Sequence, residues 1–263
     1  MRAVVQFVLA VVAVVAIVAG STADVDATAV SLPLSTIIKS ISPAPDEVVG
    51  VAHPVVVTFN GPVADRQTAE RALAVTSSPA MTGTFEWLDG NVVQWVPDRF
   101  WPAHTTMMLS VGGRSTELQT GPAVVGVADV SDHTFTVTID GVATGPAPHH
   151  LPHAGEAGVL LASMGRPDYP TPAATYRVLS KDRTVTMDSS SVGIPVDDPD
   201  GYLLKVDYAV RISGRGLYVH SAPWAVNAMG FENTSHGCIS LSPAAAEWYF
   251  DTARVGDPVI VQE

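Results

Sequence analysis

Cys238 is the only cysteine in 263 residues, and it lies in the stretch NTSHGCISLSP with His236 two positions before it and Gly237 beside it. A thiol becomes a catalyst when a base converts it to thiolate and something stabilises the oxyanion that follows. On a strand, His236 and Cys238 point to the same face. A second histidine, His220, ends the strand-like run GLYVH, and the loop Ser221 to Ser235 returns the chain to the cysteine. That loop is long enough to bring His220 beside the thiol as its general base. A base needs a third group to fix its ring. No acidic residue is well placed in the sequence, so a backbone carbonyl is the expected partner. Gly237 lets the chain turn tightly and turns the N–H groups of Gly237 and Cys238 toward an oxyanion.

Two blander readings stand beside this one. The cysteine is a buried free thiol with two structural histidines, or Cys238, His236 and His220 hold zinc, with His149, His150 and His153 nearby. SHGC with a distant histidine lacks typical zinc spacing, and the His-Pro-rich stretch reads as an exposed loop. A thiol nucleophile with an imidazole base requires no metal and no organic cofactor.

The elements that must position this chemistry are mostly strands. Apolar residues make up 47% of the chain and charged residues only 15%, with 21 Gly and 20 Pro, a balance that suits β-rich domains with many turns. PVVVTFNGPV ends a β-branched run at Asn60-Gly61, and LAVTSS, GTFEWLDG, NVVQWVP and TTMMLSVGG follow at short intervals. Asp89-Gly90 joins two of them as a hairpin. The spacing predicts a small β-sandwich without an inter-sheet disulfide, with Trp87 and Trp95 in its core. QTGPAVVG reads as a join. After it strands continue, with Asp140-Gly141 as a turn, to one helix in SPAAAEWYFDTARVG, where Ser242 is the N-cap, Pro243 the first helical residue and Gly256 the close. DPVIVQE reads as a final strand.

The net charge of −12 argues against nucleic acid, whose phosphates need a basic surface. The N-terminus places one Arg before an apolar run from Ala3 to Gly20, then small and polar residues. This reads as an export signal over 1–24, cleaved or retained as an anchor in the cytoplasmic membrane, followed by a spacer over 25–40. No cysteine follows the run, so a lipoprotein anchor is excluded. In an oxidising compartment a single cysteine has no internal disulfide partner, so it is an intermolecular link, an inert buried thiol or a reactive group.

The stretch HSAPWAVNAMGFENTSHGCISLSP resembles the signature of the L,D-transpeptidases, the YkuD-type catalytic domain: a histidine, a gap of roughly fifteen residues, then Ser/Thr-His-Gly-Cys. His220, Ser235, His236, Gly237 and Cys238 match position by position. SMGRPDYPTPAATYRVL and MDSSSVGIPVDDPDGYLLKVDYAVRISG resemble the mycobacterial members, which carry immunoglobulin-like domains behind a membrane anchor. The resemblance implies a mainly β protein, with an immunoglobulin-like sandwich over 41–122 and a catalytic mixed β-sandwich with a capping helix over 123–263. It implies Cys238 as nucleophile, His220 as base, the Ser221 carbonyl as its orienter, and His236 beside the thiol. Gly237 and Cys238 N–H groups, with Tyr202, would line the oxyanion site, and Met187 and Trp224 would flank the pocket, with Ser235 and Ser240 as further substrate contacts. Ser240 stands where the family usually has Asn, Val192 where mycobacterial relatives often have an aromatic residue, and Ala174 where Gly is frequent.

The implied reaction is thiolate attack on the diaminopimelate–D-Ala bond of a peptidoglycan tetrapeptide stem, release of D-Ala, and transfer to a second stem as a 3→3 cross-link in the cell envelope. Carbapenem-type β-lactams are the implied covalent inhibitors. The alternatives are an L,D-carboxypeptidase that uses water, and a non-catalytic wall-binding module.

Overall fold

The computed structural model describes residues 37–148 and 151–263. The expected signal or anchor over 1–24, most of the spacer, His149 and His150 lie outside the described residues. Among the described residues no helix is long and apolar enough to cross a membrane.

The first part is a sandwich of two four-stranded sheets. Its strands are β1 (Ile38–Ser42), β2 (Val48–Val49), β3 (Val55–Phe59), β4 (Thr76–Ser78), β5 (Gly83–Trp87), β6 (Val92–Pro97), β7 (Thr106–Val111) and β8 (Arg114–Thr120). The sheets run β1-β3-β6-β5 and β2-β8-β7-β4. Alternation along β3 and β7 sends Val55, Val57, Phe59, Met107, Leu109 and Val111 inward to one core, which Trp95 and Trp101 fill. Trp87 is half-buried at the edge of that core, stacked on Phe59, with its indole N–H donated to Glu70 at 2.6 Å.

Glu70 belongs to a helix that the strand-only reading of this half did not anticipate, α1 (Arg66–Leu73). The Asn60-Gly61 turn leads into it instead of into a hairpin partner. Asp65 caps it by accepting the Thr68 N–H at 3.0 Å, and Ala69 and Leu73, four apart, bury its inner face. LAVTSS is thus split: Leu73 ends the helix, Ala74 turns left-handed, and only Thr76–Ser78 pairs as a strand.

The second part is a ten-stranded mixed sheet with one helix. Its strands are β9 (Val124–Asp129), β10 (Thr134–Ile139), β11 (Val142–Ala143), β12 (Val159–Ser163), β13 (Ala174–Arg177), β14 (Ser180–Asp188), β15 (Leu203–Arg211), β16 (Tyr218–Ser221), β17 (Ile239–Leu241) and β18 (Pro258–Gln262). The order is β13-β18-β9-β10-β12-β17-β16-β15-β14, with β11 paired to β10. Phe135, Leu160, Val210, Ile239 and Val259, from five of these strands, meet Ala245, Ala246 and Tyr249 of α2 (Pro243–Thr252) in one core. Ser242 caps α2 and Pro243 opens it, but the helix ends at Thr252, earlier than Gly256 suggested. Ala253 adopts extended geometry and closes the end through its N–H to Tyr249 O at 2.8 Å, and Gly256 occupies the turn beyond, at φ 92°.

The two parts are stitched by backbone. Gly50 N–H donates to Val255 O at 2.9 Å, and Ala52 N–H to Gly256 O at 2.8 Å. A Cβ on Gly50 would stand 2.1 Å from Asp257 N, so only glycine admits this approach.

Candidate active site

β16 and β17 form a parallel pair in which Val219 faces Ile239, His220 faces Ser240 and Ser221 faces Leu241. Cys238 enters β17 one residue before the ladder, on the same side as Ser240 by the two-residue pleat. Its side chain and that of His220 line one cavity of about 450 Å³, together with Trp224, Tyr202, Met187 and His236. Ser235 and Ser240 line the same cavity.

His220 is buried, and its Nδ1 lies 2.8 Å from Ser221 O. A carbonyl only accepts, so Nδ1 carries the proton and Nε2 keeps its lone pair. Burial lowers the His220 pKa below its usual value, only partly offset by that hydrogen bond, and keeps the ring neutral at pH 7. The ring is thus a base in the required tautomer. Burial also pushes the Cys238 thiol up to about 11, against a backbone N–H from Tyr218 that favours the thiolate. At neutral pH the sulfur holds its proton until a base removes it. In the resting state Sγ lies 3.7 Å from Gly216 O.

The turn before the nucleophile is fixed by side chains. Ser235 Oγ donates to Cys238 O at 2.7 Å and accepts the Gly237 N–H at 3.0 Å. The Gly237 amide, expected at the oxyanion site, is therefore occupied by Ser235 in this conformation. Gly237 adopts φ 115°, where a Cβ would stand 3.2 Å from Leu217 Cδ2. Its carbonyl accepts from Thr171 Oγ1 at 2.8 Å, and the same oxygen of Thr171 accepts the Gly165 N–H at 2.9 Å.

Trp224 is 56% exposed at the mouth, its ring 6.2 Å from that of His220. Tyr202 is half-buried, and burial, with Cys238 nearby, raises its phenol pKa, so it keeps its O–H. Tyr202 and Met187 also line a second cavity of about 330 Å³ with Val192, Gly216 and Arg215. Tyr202 and Met187 are thus shared by the two chambers: Cys238 lines one, and Gly216, whose carbonyl accepts from the sulfur, lines the other.

Residues 120–261 match the L,D-transpeptidase catalytic domain, YkuD, and residues 14–114 match a bacterial Ig domain. Probable L,D-transpeptidase 3 of Mycobacterium tuberculosis is 62% identical over 271 residues, covering all of both chains. The chain belongs to the L,D-transpeptidase family. A crystal structure of L,D-transpeptidase 3 from Mycobacterium tuberculosis with a faropenem-derived adduct superposes with TM-score 0.83 at 67% identity, covering 86% of this chain and 98% of that one. A structure of the LD transpeptidase LdtMt1 in complex with imipenem superposes with TM-score 0.78 at 48% identity, over 86% of this chain and 98% of that one. This L,D-transpeptidase is a cysteine-dependent acyltransferase built as an Ig-like sandwich plus a YkuD domain.

Sequence reasoning missed four residues at this L,D-transpeptidase site. Thr171 supports the Gly237 carbonyl, while Arg166, Tyr169 and Asp200 surround His236. A threonine between two prolines in YPTPA was the only local hint; the partners of the others lie far away in sequence. His153, from the His-Pro-rich stretch, lies 3.3 Å from Asp132 and 3.2 Å from Glu156, remote in sequence from the thiol.

Proposed function

We propose that Cys238 is the nucleophile and His220 the base of a transpeptidation that forms 3→3 cross-links between peptidoglycan stems. The observation that carries this is the pairing of a lone thiol with a neutral imidazole in one cavity, the imidazole's Nδ1 committed to Ser221 O. His220 Nε2 takes the thiol proton as sulfur attacks the carbonyl of the diaminopimelate–D-Ala bond. The carbon–nitrogen bond breaks, D-Ala leaves with that proton on its amine, and a thioester remains. A side-chain amine of a second stem then attacks, gives its proton to His220, and releases Cys238 as the thiolate, which recovers the proton. The Cys238 N–H and Tyr202 O–H are the donors assigned to the oxyanion, since Ser235 holds the Gly237 N–H.

Two stems must reach one sulfur, and the two chambers that share Tyr202 and Met187 supply two seats. Met187, Trp224, Ser235 and Ser240 form the substrate walls. Carbapenem-type β-lactams acylate the same thiol, a reading supported by the faropenem and imipenem complexes of the relatives. The sandwich over 41–122 serves as a spacer for the catalytic domain over 123–263. Residues 1–24 direct export to the cell envelope, where the stems are, as a cleaved signal or as an anchor in the cytoplasmic membrane.

Mass spectrometry of a disaccharide-tetrapeptide incubated with the protein, with Cys238→Ala as control, tests the reaction. A cross-linked dimer short of one D-Ala, absent with the variant, is expected. Free tripeptide alone would make the enzyme a carboxypeptidase, and no conversion would leave a wall-binding module.

A further inference from the structure

The segment between β14 and β15 covers the nucleophile, and its base is closed on itself. Ser189 N–H donates to Tyr202 O at 3.0 Å, and Tyr202 N–H donates to Ser189 Oγ at 3.0 Å. Asp200, two residues before Tyr202, lies beside this closure and ties it to a second element. Asp200 accepts from the Arg166 guanidinium through one carboxylate oxygen and from Tyr169 O–H at 3.2 Å through the other. Arg166 comes from a different element, the loop after β12, whose backbone is docked on the nucleophile turn by Arg166 N–H to Ser235 O at 3.0 Å.

His236 sits in the middle of this junction. Arg166 Nη1 lies 3.4 Å from its Nδ1. The Tyr169 ring packs on one side at 4.8 Å between centroids, and the Tyr202 ring packs at 4.9 Å. The Arg166 guanidinium also lies 4.6 Å from the Tyr169 ring centroid. A guanidinium only donates, so Nδ1 of His236 accepts and the imidazole proton sits on Nε2. The charged and titratable groups facing His236 are thus Arg166 and Tyr169 from one loop, Asp200 and Tyr202 from the covering segment, and Cys238 two residues on.

We propose that the Arg166–Asp200 ion pair is a latch: it binds the covering segment to the nucleophile loop and so holds Tyr202 and His236 at the working distance from Cys238. Arg166 and Asp200 are positioning residues; neither touches the reacting atoms. The pair is partly shielded, with the Arg166 side chain 23% and the Asp200 side chain 47% exposed, so it is anchored at the arginine and releasable at the aspartate. The inference rests on the assignment of Cys238 as the nucleophile.

The test is a double-mutant cycle read by the rate of Cys238 acylation with imipenem, using Arg166→Met, Asp200→Asn, the double variant, and Cys238→Ala as control. Each single substitution is expected to slow acylation roughly ten- to a hundredfold, since a misplacement of about 1 Å costs up to about 10²-fold. The double variant should be no slower than the slower single one, because both remove one interaction. Wild-type rates in the singles, or losses that multiply in the double variant, would overturn the latch. Acylation of Cys238→Ala would instead overturn the nucleophile assignment. Titration of His236 by NMR supplies a readout that simple loosening would not give. Burial and Arg166 hold its pKa down while Asp200 pushes it up. Arg166→Met should therefore raise it and Asp200→Asn lower it, and shifts of the same sign in both would count against the latch.

Discussion

Replacing Asp257 with asparagine removes a charge that the fold tolerates poorly. Asp257 is fully buried at the junction of the two parts, against Gly50. Its Oδ2 accepts the Arg254 N–H at 2.7 Å, while Oδ1 has no hydrogen-bond partner. Burial pushes its carboxyl from the usual 3.8 up to about 7, outweighing the Arg254 N–H and the Arg254 and Lys181 charges, which pull it down. Between those two values the folded protein binds a proton that the unfolded chain has lost, so stability falls as pH rises through that window. Each pH unit is worth about 1.4 kcal/mol, so the ionised carboxyl costs the folded state on the order of 4 kcal/mol at about pH 8. An asparagine side chain in its place would keep an acceptor for the Arg254 N–H and carry no charge. Asp257→Asn should match the wild type near pH 4 and exceed it by several kcal/mol at pH 8. For a chain of this size that is a rise in melting temperature of roughly 10 °C. Urea unfolding of both proteins at several pH values measures the difference directly. A wild type that gains stability relative to the variant as pH rises from 5 to 8 would refute the reasoning, because it would place the folded carboxyl below its unfolded value.

Other outcomes follow from the site. Cys238→Ala should form no adduct with imipenem by intact mass, and an adduct would move the nucleophile elsewhere. His220→Ala should slow acylation by about 10²–10⁴, the usual contribution of a positioned base; a rate near wild type in a stopped-flow assay would remove His220 from that role. Because burial lowers the His220 pKa, acylation should be flat with pH above about 6.5 and fall only below it, as the ring gains a proton. A fall that begins above pH 7 would contradict a buried neutral base. Thr171→Val removes the donor to Gly237 O and the acceptor of the Gly165 N–H, and should cost about 1–3 kcal/mol in urea unfolding; no change would show that water replaces both bonds.

What the sequence revealed divides along chain distance. The start of α2 was legible because a cap and a first-turn proline are local signals, whereas its end was not, since extended Ala253 carries no sequence mark. α1 went unread although Asp65 and Thr68 form a local cap, because its eight residues bury only Ala69 and Leu73 amid strands. Cys238, His236 and His220 were marked by residue type and spacing, and the resemblance to the L,D-transpeptidase signature added Ser235 and decided for a reactive thiol. Thr171 lies 66 residues from the Gly237 carbonyl it supports, and Asp200 lies 34 from Arg166, so no pattern along the chain pairs them. The Gly237 amide shows the opposite failure. Spacing pointed it at an oxyanion, and a hydroxyl two residues away holds it instead.

The parallel ladder between β16 and β17 also bears on how this active site can change over generations. Backbone pairing, not the length of the intervening loop, decides that His220 faces Ser240 beside the thiol. Part of that loop is pinned, since Ala222, Ala225 and Met229 pack against Leu161. Its tips at Val226, Asn227 and Phe231 are exposed, and Asn227 lines the larger chamber. Lengthening an exposed loop costs little chain entropy. Insertions there would reshape the seat for a stem while leaving the reactive pair in register, so new substrate preferences are open to this fold without first losing the chemistry.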